Sequence, residues 1–506
     1  MPRKGKCFST CRKRTKPECE PPDCYYTNGN RYKYCRLAFT RKMGKDCIPV
    51  PRNPNHRKTT KDNTTKEKID EFRTKHIKKI ATQKIARFLR KTDPRVRSKF
   101  LQSVCSDAGV CIAFGNHADT IRKHFLNFSD FKLLSKPLKR IGAVSANGFV
   151  NELTYERKGY IANAILKSSA SKKSDNLLYE AMVGFFINKH SKHLPCFLET
   201  YGLYEYYDTD IYDVLLKNNT NESSLLDKGL SLIAANEKEI EDEDIRLSCA
   251  YPTTMAVLVQ HLKEATTLHS KNQNEKFVKN DLVYVLFQVY MALYTLKESF
   301  THYDLHTNNV LVYEPVKGKY IEYHYHLETG EKIVFKSPYI AKIIDYGRCY
   351  FNNNGKDSKK FQEKMCKICV DPVCGNGRGY AWLNVDPTSS NSFISSKTYH
   401  PSHDLRLLSN IGVKKGMDGD MKQIMGKVVY GAGLNSSNKY YGTKPNPTSG
   451  LPLKINNVKD AYEMLRRYIA KPNVIKLNNA IYGDESNRLG QLHVYHDHRP
   501  MRYVSE

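Results

Sequence analysis

The sequence has no long hydrophobic run. Nowhere do about eighteen apolar residues follow one another, so a transmembrane helix is not expected. The most apolar helical stretch, residues 281–296, is too short and too polar to span a bilayer. The first residues are basic and rich in cysteine and include no apolar segment, so we also expect no secretory signal.

Acidic residues are scarce relative to basic ones. The 506 residues include 81 Lys and Arg but only 52 Asp and Glu, which gives a formal net charge of +29. Most of the excess lies in the first hundred residues, where 30 Lys and Arg accompany 9 Asp and Glu. Such a segment favours an anionic partner: nucleic acid, a membrane lipid or an acidic protein. A solvated tail that only aids solubility is the alternative interpretation.

The sequence lacks the two Cys-x-x-Cys pairs that are typical of a structural zinc site. Six of its 14 cysteines lie in the first fifty residues, at spacings that match no zinc pattern. Cys366, Cys369 and Cys374 lie closer together, and Cys349 could supply a fourth sulfur ligand. Zinc binding, free thiols and disulfides formed in an oxidising environment all stay open for these residues.

Composition and periodicity divide the chain into four segments. Residues 1–64 are predicted to form an extended, basic, cysteine-rich arm, and residues 65–130 to form basic amphipathic helices. Residues 131–262 are rich in predicted strands and contain an acidic insertion at about 208–250. In the fourth segment, residues 263–506, the pattern after residue 280 is mainly helical, apart from strands that flank the loop at 300–312. A chain of this length exceeds one typical hydrophobic core, so more than one domain is expected.

Local patterns place the strands and helices that matter for function. Alternating apolar residues and turn signals predict antiparallel strands at 141–150, 152–155, 160–167, 195–207 and 254–262. A helix is predicted at 175–188, between the third and fourth of these strands. Residues 314–337 read as an inserted β-hairpin, with its turn at 328–330.

Two short segments concentrate the residues that phosphoryl transfer needs. Residues 300–312 place Asp304 and Asn309 five positions apart on a loop after an apolar helix, and residues 343–347 place Asp345 at the end of a strand-like run. Asp304 can accept the proton of a hydroxyl group. Asn309 and Asp345 offer hard oxygen ligands for Mg²⁺.

These segments resemble protein kinases. His302-Tyr-Asp-Leu-His-Thr-Asn-Asn309 resembles the kinase catalytic loop, with Tyr303 in place of the usual Arg, and Asp345-Tyr-Gly347 resembles the Asp-Phe-Gly motif. The Asp-Leu-His fragment is most similar to haspin-type and other divergent kinases. The resemblance implies an α+β, two-lobed fold, with a small antiparallel β lobe at 131–262, a helical lobe at 263–506 and a basic, cysteine-rich N-terminal extension.

The resemblance also implies a nucleotide site that binds ATP and Mg²⁺. Lys167, at the end of an apolar strand, is similar to the lysine that binds the α- and β-phosphates, and Glu180 on the following helix is its expected ion-pair partner. Asp304 and Asn309 complete the catalytic set, with Asn309 and Asp345 as the metal ligands.

The glycine-rich loop departs from the family pattern. Gly148 and Val150 match its last part, but Ala143 and Ser145 stand where the first two glycines belong. A β-carbon at each position restricts the close approach of the backbone to phosphates. The adenine pocket is expected near His261, by analogy of fold alone.

Two further features bear on the helical lobe. No Ala-Pro-Glu motif follows Asp345, and haspin-like kinases also lack this motif. The sequence therefore leaves undecided which segment would dock a substrate. Asp404 is similar to the aspartate that braces the catalytic-loop backbone in kinases. A helix N-cap is the equally weighted alternative for this residue.

The resemblance implies an ATP- and Mg²⁺-dependent Ser/Thr protein kinase. Two alternatives stay open: a small-molecule kinase, and a catalytically weak, kinase-like structural or capsid-associated protein that binds polyanions through its basic arm. Segments 97–115 and 197–202 are similar to kinase-like proteins of large nucleocytoplasmic DNA viruses. That similarity implies a location in the virion or the host cytoplasm, a protein substrate, and an arm that contacts nucleic acid or capsid proteins.

Overall fold

The structure, a computed structural model, describes residues 24–28, 33–37, 103–106, 110–145, 148–158, 160–169, 177–245, 254–353, 356–368, 399–430 and 453–505. The chain divides into two compact units, residues 1–86 and 87–506. In the first unit, β1 (Cys24–Asn28) and β2 (Lys33–Leu37) form an antiparallel hairpin. This hairpin lies in the predicted extended arm, and the other residues of the arm lie outside the described ones.

The first part of the second unit consists mainly of strands. Its elements are β3 (Ser103–Cys105), β4 (Cys111–Ala113), α1 (His117–His124), β5 (Lys139–Ser145), β6 (Gly148–Arg157), β7 (Tyr160–Ser168), α2 (Leu177–His190), β8 (Thr200–Tyr206), α3 (Thr209–Leu216), α4 (Ser224–Gly229), β9 (Leu230–Ala234) and β10 (Met255–Gln260). A disulfide between Cys105 and Cys111 joins β3 to β4. The predicted helical segment at 65–130 therefore contains a hairpin as well as α1, and its residues 65–102 lie outside the described part.

Six described strands form one antiparallel sheet in the order β5-β6-β7-β10-β8-β9. The predicted strand at 141–150 is in fact parts of two strands, β5 and β6, which pair antiparallel on either side of residues 146 and 147. The sheet has two apolar faces because its strands carry apolar residues on both sides. Leu203 and Val257 belong to the core that contains α2, whereas Tyr155 and Leu166 belong to a second core with Phe128.

Helix α2 lies in the first of these cores and is buried along most of its length, from Leu177 to Ile187. Its close packing depends on Gly184. A β-carbon built at Gly184 would lie 2.0 Å from Thr200 Oγ1 and 2.8 Å from Thr200 Cβ, on neighbouring strand β8. The missing side chain thus lets the helix approach the sheet, and the helix carries Glu180 toward Lys167.

The predicted acidic insertion at about 208–250 is partly structured. It contains α3 and α4, and β9 extends the edge of the sheet by pairing with β8. Glu237, the first residue of the acidic run, is buried and pairs with Lys189 and with the amide of Asn353. This carboxylate therefore belongs to the folded unit rather than to a solvated loop.

The remainder of the second unit combines helices with small sheets. Its elements are β11 (Thr266–Thr267), α5 (Leu268–Lys271), α6 (Glu275–Asn280), α7 (Leu282–Thr295), β12 (Phe300–Thr301), β13 (Val310–Tyr313), β14 (Tyr320–His326), β15 (Lys332–Ser337), β16 (Ile340–Ile343), β17 (Tyr350–Asn353), β18 (Lys356–Asp357), α8 (Ser358–Ile368), α9 (Arg406–Ile411), α10 (Gly419–Gly426), α11 (Val458–Ile469), α12 (Pro472–Ile481), β19 (Arg488–Tyr495) and β20 (Arg502–Ser505). The fold is thus α+β with several antiparallel sheets. None of the helices in the described part of the chain has the length and apolar character needed to cross a membrane.

The inserted hairpin predicted at 314–337 is present as β14 and β15. The prediction that the chain after residue 280 is mainly helical is wrong at the C-terminal end, where β19 and β20 form strands. β19 pairs in parallel with β14, which gives a four-stranded sheet in the order β15-β14-β19-β20. Strand propensity alone does not reveal such a pairing, because the partner strand lies far away in the sequence.

Gly184→Ala tests the close contact of α2 with the sheet. Alanine is normally the better helix residue, by about 1 kcal/mol. Here we expect the opposite sign, a loss of about 1–3 kcal/mol, because the new methyl group overlaps Thr200. The melting temperature measured by calorimetry should fall. Gly419→Ala, whose β-carbon meets nothing within 4 Å, is the matched control, and equal melting temperatures for the two variants would contradict the argument.

Candidate active site

Lys167 lies in the middle of the six-stranded sheet. On β7 it is paired with Val150 of β6 on one side and Val257 of β10 on the other. Its Nζ donates a hydrogen bond to Glu180 Oε2 at 2.6 Å and to Asp345 Oδ1 at 3.1 Å. One ammonium group therefore connects the sheet, helix α2 and the loop after β16.

The charges of this trio depend on one another. Burial lowers the pKa of Lys167, but the charges of Asp345 and Glu180 outweigh burial and raise the pKa above its usual value. Burial raises the pKa of Glu180, against the charge of Lys167. The Lys167 ammonium lowers the pKa of Asp345. At neutral pH we therefore expect a charged ammonium facing a charged Asp345.

Backbone hydrogen bonds hold the Asp345 loop against the loop that carries Asn309. The Ile344 N–H donates to the carbonyl of Asn309 at 3.0 Å, and His302 Nε2 donates to the carbonyl of Ile344 at 3.0 Å. Asp345 has φ +69° and Tyr303 has φ +63°. Residues other than glycine adopt this conformation at a cost of about 1–3 kcal/mol, and such strain is concentrated at functional sites.

Asp304 lies on the loop between β12 and β13 and is nearly buried. Its Oδ1 lies 2.5 Å from Arg406 Nη1, and its Oδ2 lies 3.4 Å from Arg348 Nη1. His306 Nε2 is 3.7 Å from Oδ1. The backbone carbonyl of Asp304 accepts a hydrogen bond from Asn309 Nδ2 at 2.9 Å, which orients the Asn309 amide and leaves its Oδ1 as the acceptor.

Asp404 holds this loop in place through two hydrogen bonds to its backbone. Its two carboxylate oxygens accept hydrogen bonds from the backbone N–H groups of His302 (2.8 Å) and Tyr303 (3.0 Å). Asp404 therefore supports the backbone of this loop. It is not the N-cap of α9, because that position is occupied by Leu405. Burial raises the pKa of Asp404 from 3.8 to about 7, although both backbone hydrogen bonds oppose the shift.

Tyr303 is fully buried. Its ring centroid lies 4.7 Å from that of His403, and Tyr350 and Tyr399 complete a small aromatic cluster around it. The surroundings of this side chain are therefore aromatic.

Of the other predicted nucleotide-binding residues, Gly148 and Val150 lie near Lys167 on the neighbouring strand, whereas His261 lies farther away. Ser145 ends β5 and pairs with Gly148 at the start of β6, and Val150 lies beside Lys167. Gly148 has φ +124°, and a β-carbon there would lie 1.8 Å from Ser168 O, so only glycine fits. The N–H of His261 donates to the carbonyl of Asn163 at 3.1 Å, four positions along β7 from Lys167.

His261 therefore lies roughly 13 Å from Lys167 along the strand, at about 3.3 Å per residue. Its ring lies near Glu152, with 3.9 Å between His261 Nε2 and Glu152 Oε2. The structure does not bring His261 into the group around Lys167. A role in adenine binding stays a prediction.

The residues at the site fit a nucleotide-bound Mg²⁺. The half-buried carboxylate of Asp345 and the oriented amide oxygen of Asn309, on adjacent loops, are the hard oxygen donors that this ion prefers. Within the described residues, no group of three His, Cys, Asp or Glu side chains is arranged to hold a metal ion by itself. Cys369 and Cys374 lie outside the described residues, as does the side chain of Cys366, and the zinc site there stays a prediction.

Arg406 and Arg348 were not identified from the sequence. Arg348 directly follows the Asp-Tyr-Gly segment and Arg406 lies two positions after Asp404, so both lie next to predicted site residues. Their position next to predicted site residues was the only sequence signal for a role in the site. A long basic side chain is usually solvated, so its residue type alone predicts no contact. Comparison of the sequence with models of known protein families and with curated proteins gives no match.

The buried carboxyl group of Asp404 should make the stability of the protein depend on pH. Because its pKa is raised from 3.8 to about 7, the folded protein keeps a proton that the unfolded chain releases. Its contribution to stability is therefore full below about pH 4 and is lost as the pH rises through 7. Denaturation midpoints measured from pH 4 to 8 should fall less steeply with pH in Asp404→Asn than in the wild type.

Asp404→Asn should also lower stability by about 1–3 kcal/mol at every pH, because one of the two backbone N–H groups loses its acceptor. Asp210→Asn, an exposed change on α3, is the control for removal of a carboxylate. Parallel pH profiles for the wild type and Asp404→Asn would show that Asp404 does not hold the proton.

Proposed function

We propose that the chain is an ATP- and Mg²⁺-dependent phosphotransferase with a two-lobed, protein-kinase-like architecture, and that it acts on Ser or Thr residues of a protein. The observation that carries the proposal is the double ion pair of Lys167 with Glu180 and Asp345. It places a phosphate-binding cation next to a candidate metal ligand. The loop that carries Asp304 and Asn309 is hydrogen-bonded to the same region.

The order of elements supports the same proposal. An antiparallel sheet with one helix, α2, inserted between β7 and β8 precedes the apolar helix α7, and the Asp304 loop follows α7. The strands β13 and β16 pair antiparallel and bring the loops that follow or precede them together. This arrangement supports a nucleotide bound between the sheet and the loops.

In this proposal each side chain has a separate role. Lys167 binds the phosphates and Glu180 keeps its ammonium in place, while Asn309 and Asp345 would hold Mg²⁺, which neutralises charge on the phosphates when bound. Asp304 orients the acceptor hydroxyl and receives its proton. Because Arg406 and Arg348 both contact the Asp304 carboxylate, the hydroxyl has to approach the oxygen lone pairs that these guanidinium groups leave accessible.

A second candidate, a kinase-like structural or capsid-associated protein, is favoured by two observations. Ala143 and Ser145 replace phosphate-loop glycines. Asp304 is held by two arginines rather than left open to a substrate. A location in the virion or host cytoplasm, and contact of the basic arm with nucleic acid or capsid proteins, belong to the proposal under either candidate. Absence of the chain from purified particles by mass spectrometry would remove the virion part.

Asp304→Asn separates chemistry from binding. The amide keeps the shape of the side chain but cannot accept the hydroxyl proton, so we expect phosphate transfer to fall by about 10²-fold or more while nucleotide affinity is nearly unchanged. Transfer is measured with radiolabelled ATP on a mixture of protein substrates. Asp497→Asn, on an exposed loop, is the matched control. Full activity in a cleanly purified Asp304→Asn protein would rule out the role.

Nucleotide binding itself is tested by thermal shift with ATP and Mg²⁺. The wild type should gain several degrees, since a ligand that binds only the folded state stabilises it. Lys167→Met should lose this gain relative to its own melting temperature without ligand, because no cation then faces the phosphates. Lys132→Met, at an exposed lysine, should behave as the wild type. No shift in the wild type with either Mg²⁺ or Mn²⁺ would favour the structural protein.

A further inference from the structure

Three histidines lie together on the outer face of the four-stranded sheet. His324 and His326 are two positions apart on β14 and so project from the same side of the strand. His493 of β19 is the register partner of His324. The alternate residues Tyr323 and Tyr325 project from the opposite side and are buried in the main core.

Nitrogens of two of the three imidazole rings are close enough to share a ligand, and the third ring lies against them. His326 Nε2 and His493 Nδ1 are 3.1 Å apart. Two nitrogens that bind one tetrahedral metal at about 2.0–2.1 Å are separated by roughly 3.3 Å, so this pair already has a suitable spacing. The ring centroid of His324 lies 4.6 Å from that of His493.

Glu322 determines which nitrogen of His324 is available. The carboxylate Oε1 lies 2.5 Å from His324 Nε2, and a carboxylate accepts, so Nε2 carries the proton and Nδ1 has the lone pair. Nδ1 is buried and has no hydrogen-bond partner, and the whole His324 residue is only 6% exposed. A carboxylate on the far nitrogen is the usual second partner of a histidine that binds a metal.

Imidazoles bind metals in their uncharged form. Two cations lie on the neighbouring strands: Lys332 is the register partner of His326, and Arg502 is the register partner of His493. These cations oppose an incoming metal ion, which the carboxylate of Glu322 offsets in part.

A different occupant, the bases of a nucleic acid, is disfavoured by the orientation of the rings. His324 and His493 stack on each other at an interplanar angle of 30°, and His326 and Tyr495 stack at 20°. A neighbouring ring therefore covers one face of each of these rings, which leaves less ring surface for bases to stack on. The nitrogens lie at the ring edges.

We propose that His324, His326 and His493 bind one divalent transition-metal ion of the Zn²⁺ class, with Glu322 orienting His324 and water in the remaining position. In the part of the chain that the structure describes, these side chains are stacked and hydrogen-bonded rather than arranged as a finished ligand set. Binding requires rotation of the rings and replaces the hydrogen bond between His326 and His493 with two metal–nitrogen bonds. The ion would tie β14 to β19 across 167 residues of sequence.

The experiment uses the full chain, freed of metals with a chelator and titrated with Co²⁺. Cobalt bound to imidazoles absorbs in the visible region, whereas cobalt bound to the cysteines of this chain adds thiolate charge-transfer bands in the near ultraviolet. We expect the wild type to show a visible band that saturates without those thiolate bands. His324→Gln, His326→Gln and His493→Gln should each lose it, and Zn²⁺ should displace Co²⁺ from the wild type.

Two further variants distinguish the loss of a metal ligand from a change in folding. His496→Gln removes a nearby histidine that pairs with Glu328 instead, so it should keep the band. Glu322→Gln leaves all three imidazoles in place and should weaken Co²⁺ affinity by about 10–100-fold. Equal Co²⁺ spectra and affinities in the wild type, His493→Gln and Glu322→Gln would overturn the proposal and identify the cluster as a stacked set of neutral histidines. The result does not depend on phosphotransferase activity.

Discussion

The ammonium group of Lys167 joins a strand, the helix that follows it and a loop much later in the chain. It lies 2.6 Å from a carboxylate of α2 and 3.1 Å from the carboxylate of Asp345, which is 178 residues away. Glu180 is buried, so removal of the Lys167 ammonium would leave this carboxylate without its cation, which is destabilising. One cation therefore links the sheet, the helix packed on it and the Asp345 loop, and every role proposed for the site assumes that link.

A second layer of interactions keeps the Asp304 loop in a strained shape. Asp404 accepts hydrogen bonds from two successive backbone N–H groups, and the second of these belongs to Tyr303, which has a positive φ. Surrounding aromatic rings and a buried carboxylate thus offset the cost of that conformation. The same bonds fix the direction in which Asp304 points, toward Arg406 and Arg348.

Much of the site could be predicted from local sequence because its chemistry lies in short segments. The spacing of Asp304 and Asn309, the strand end at Lys167 and the helix around Glu180 are local patterns. In the structure Lys167 contacts Glu180, and the Asn309 amide contacts the Asp304 backbone, while the roles of these residues stay a prediction. The hairpin at 314–337 was also visible, from its turn residues. The contacts of Arg348 and Arg406 could not be predicted, because a long cationic side chain carries no signal of its partner.

Long-range strand pairing explains where the observed strands differ from the predicted ones. The edge position of β9 depends on β8, and the parallel pairing of β19 depends on β14, so neither follows from periodicity within the strand itself. The glycine-rich loop shows a related limit. Ala143 and Ser145 could be recognised as departures from a pattern, whereas the reason for Gly148, its close approach to the backbone of Ser168, requires the tertiary structure.

The parallel pairing of β14 with β19 has a consequence for synthesis of the protein. A ribosome completes β14 and β15 long before it reaches β19, since 167 residues separate His326 from His493. During that interval one edge of β14 has unpaired backbone groups, which can attract strands of other chains. A nascent chain therefore exposes this strand edge until β19 has been made, and its yield should depend on chaperones that shield the edge.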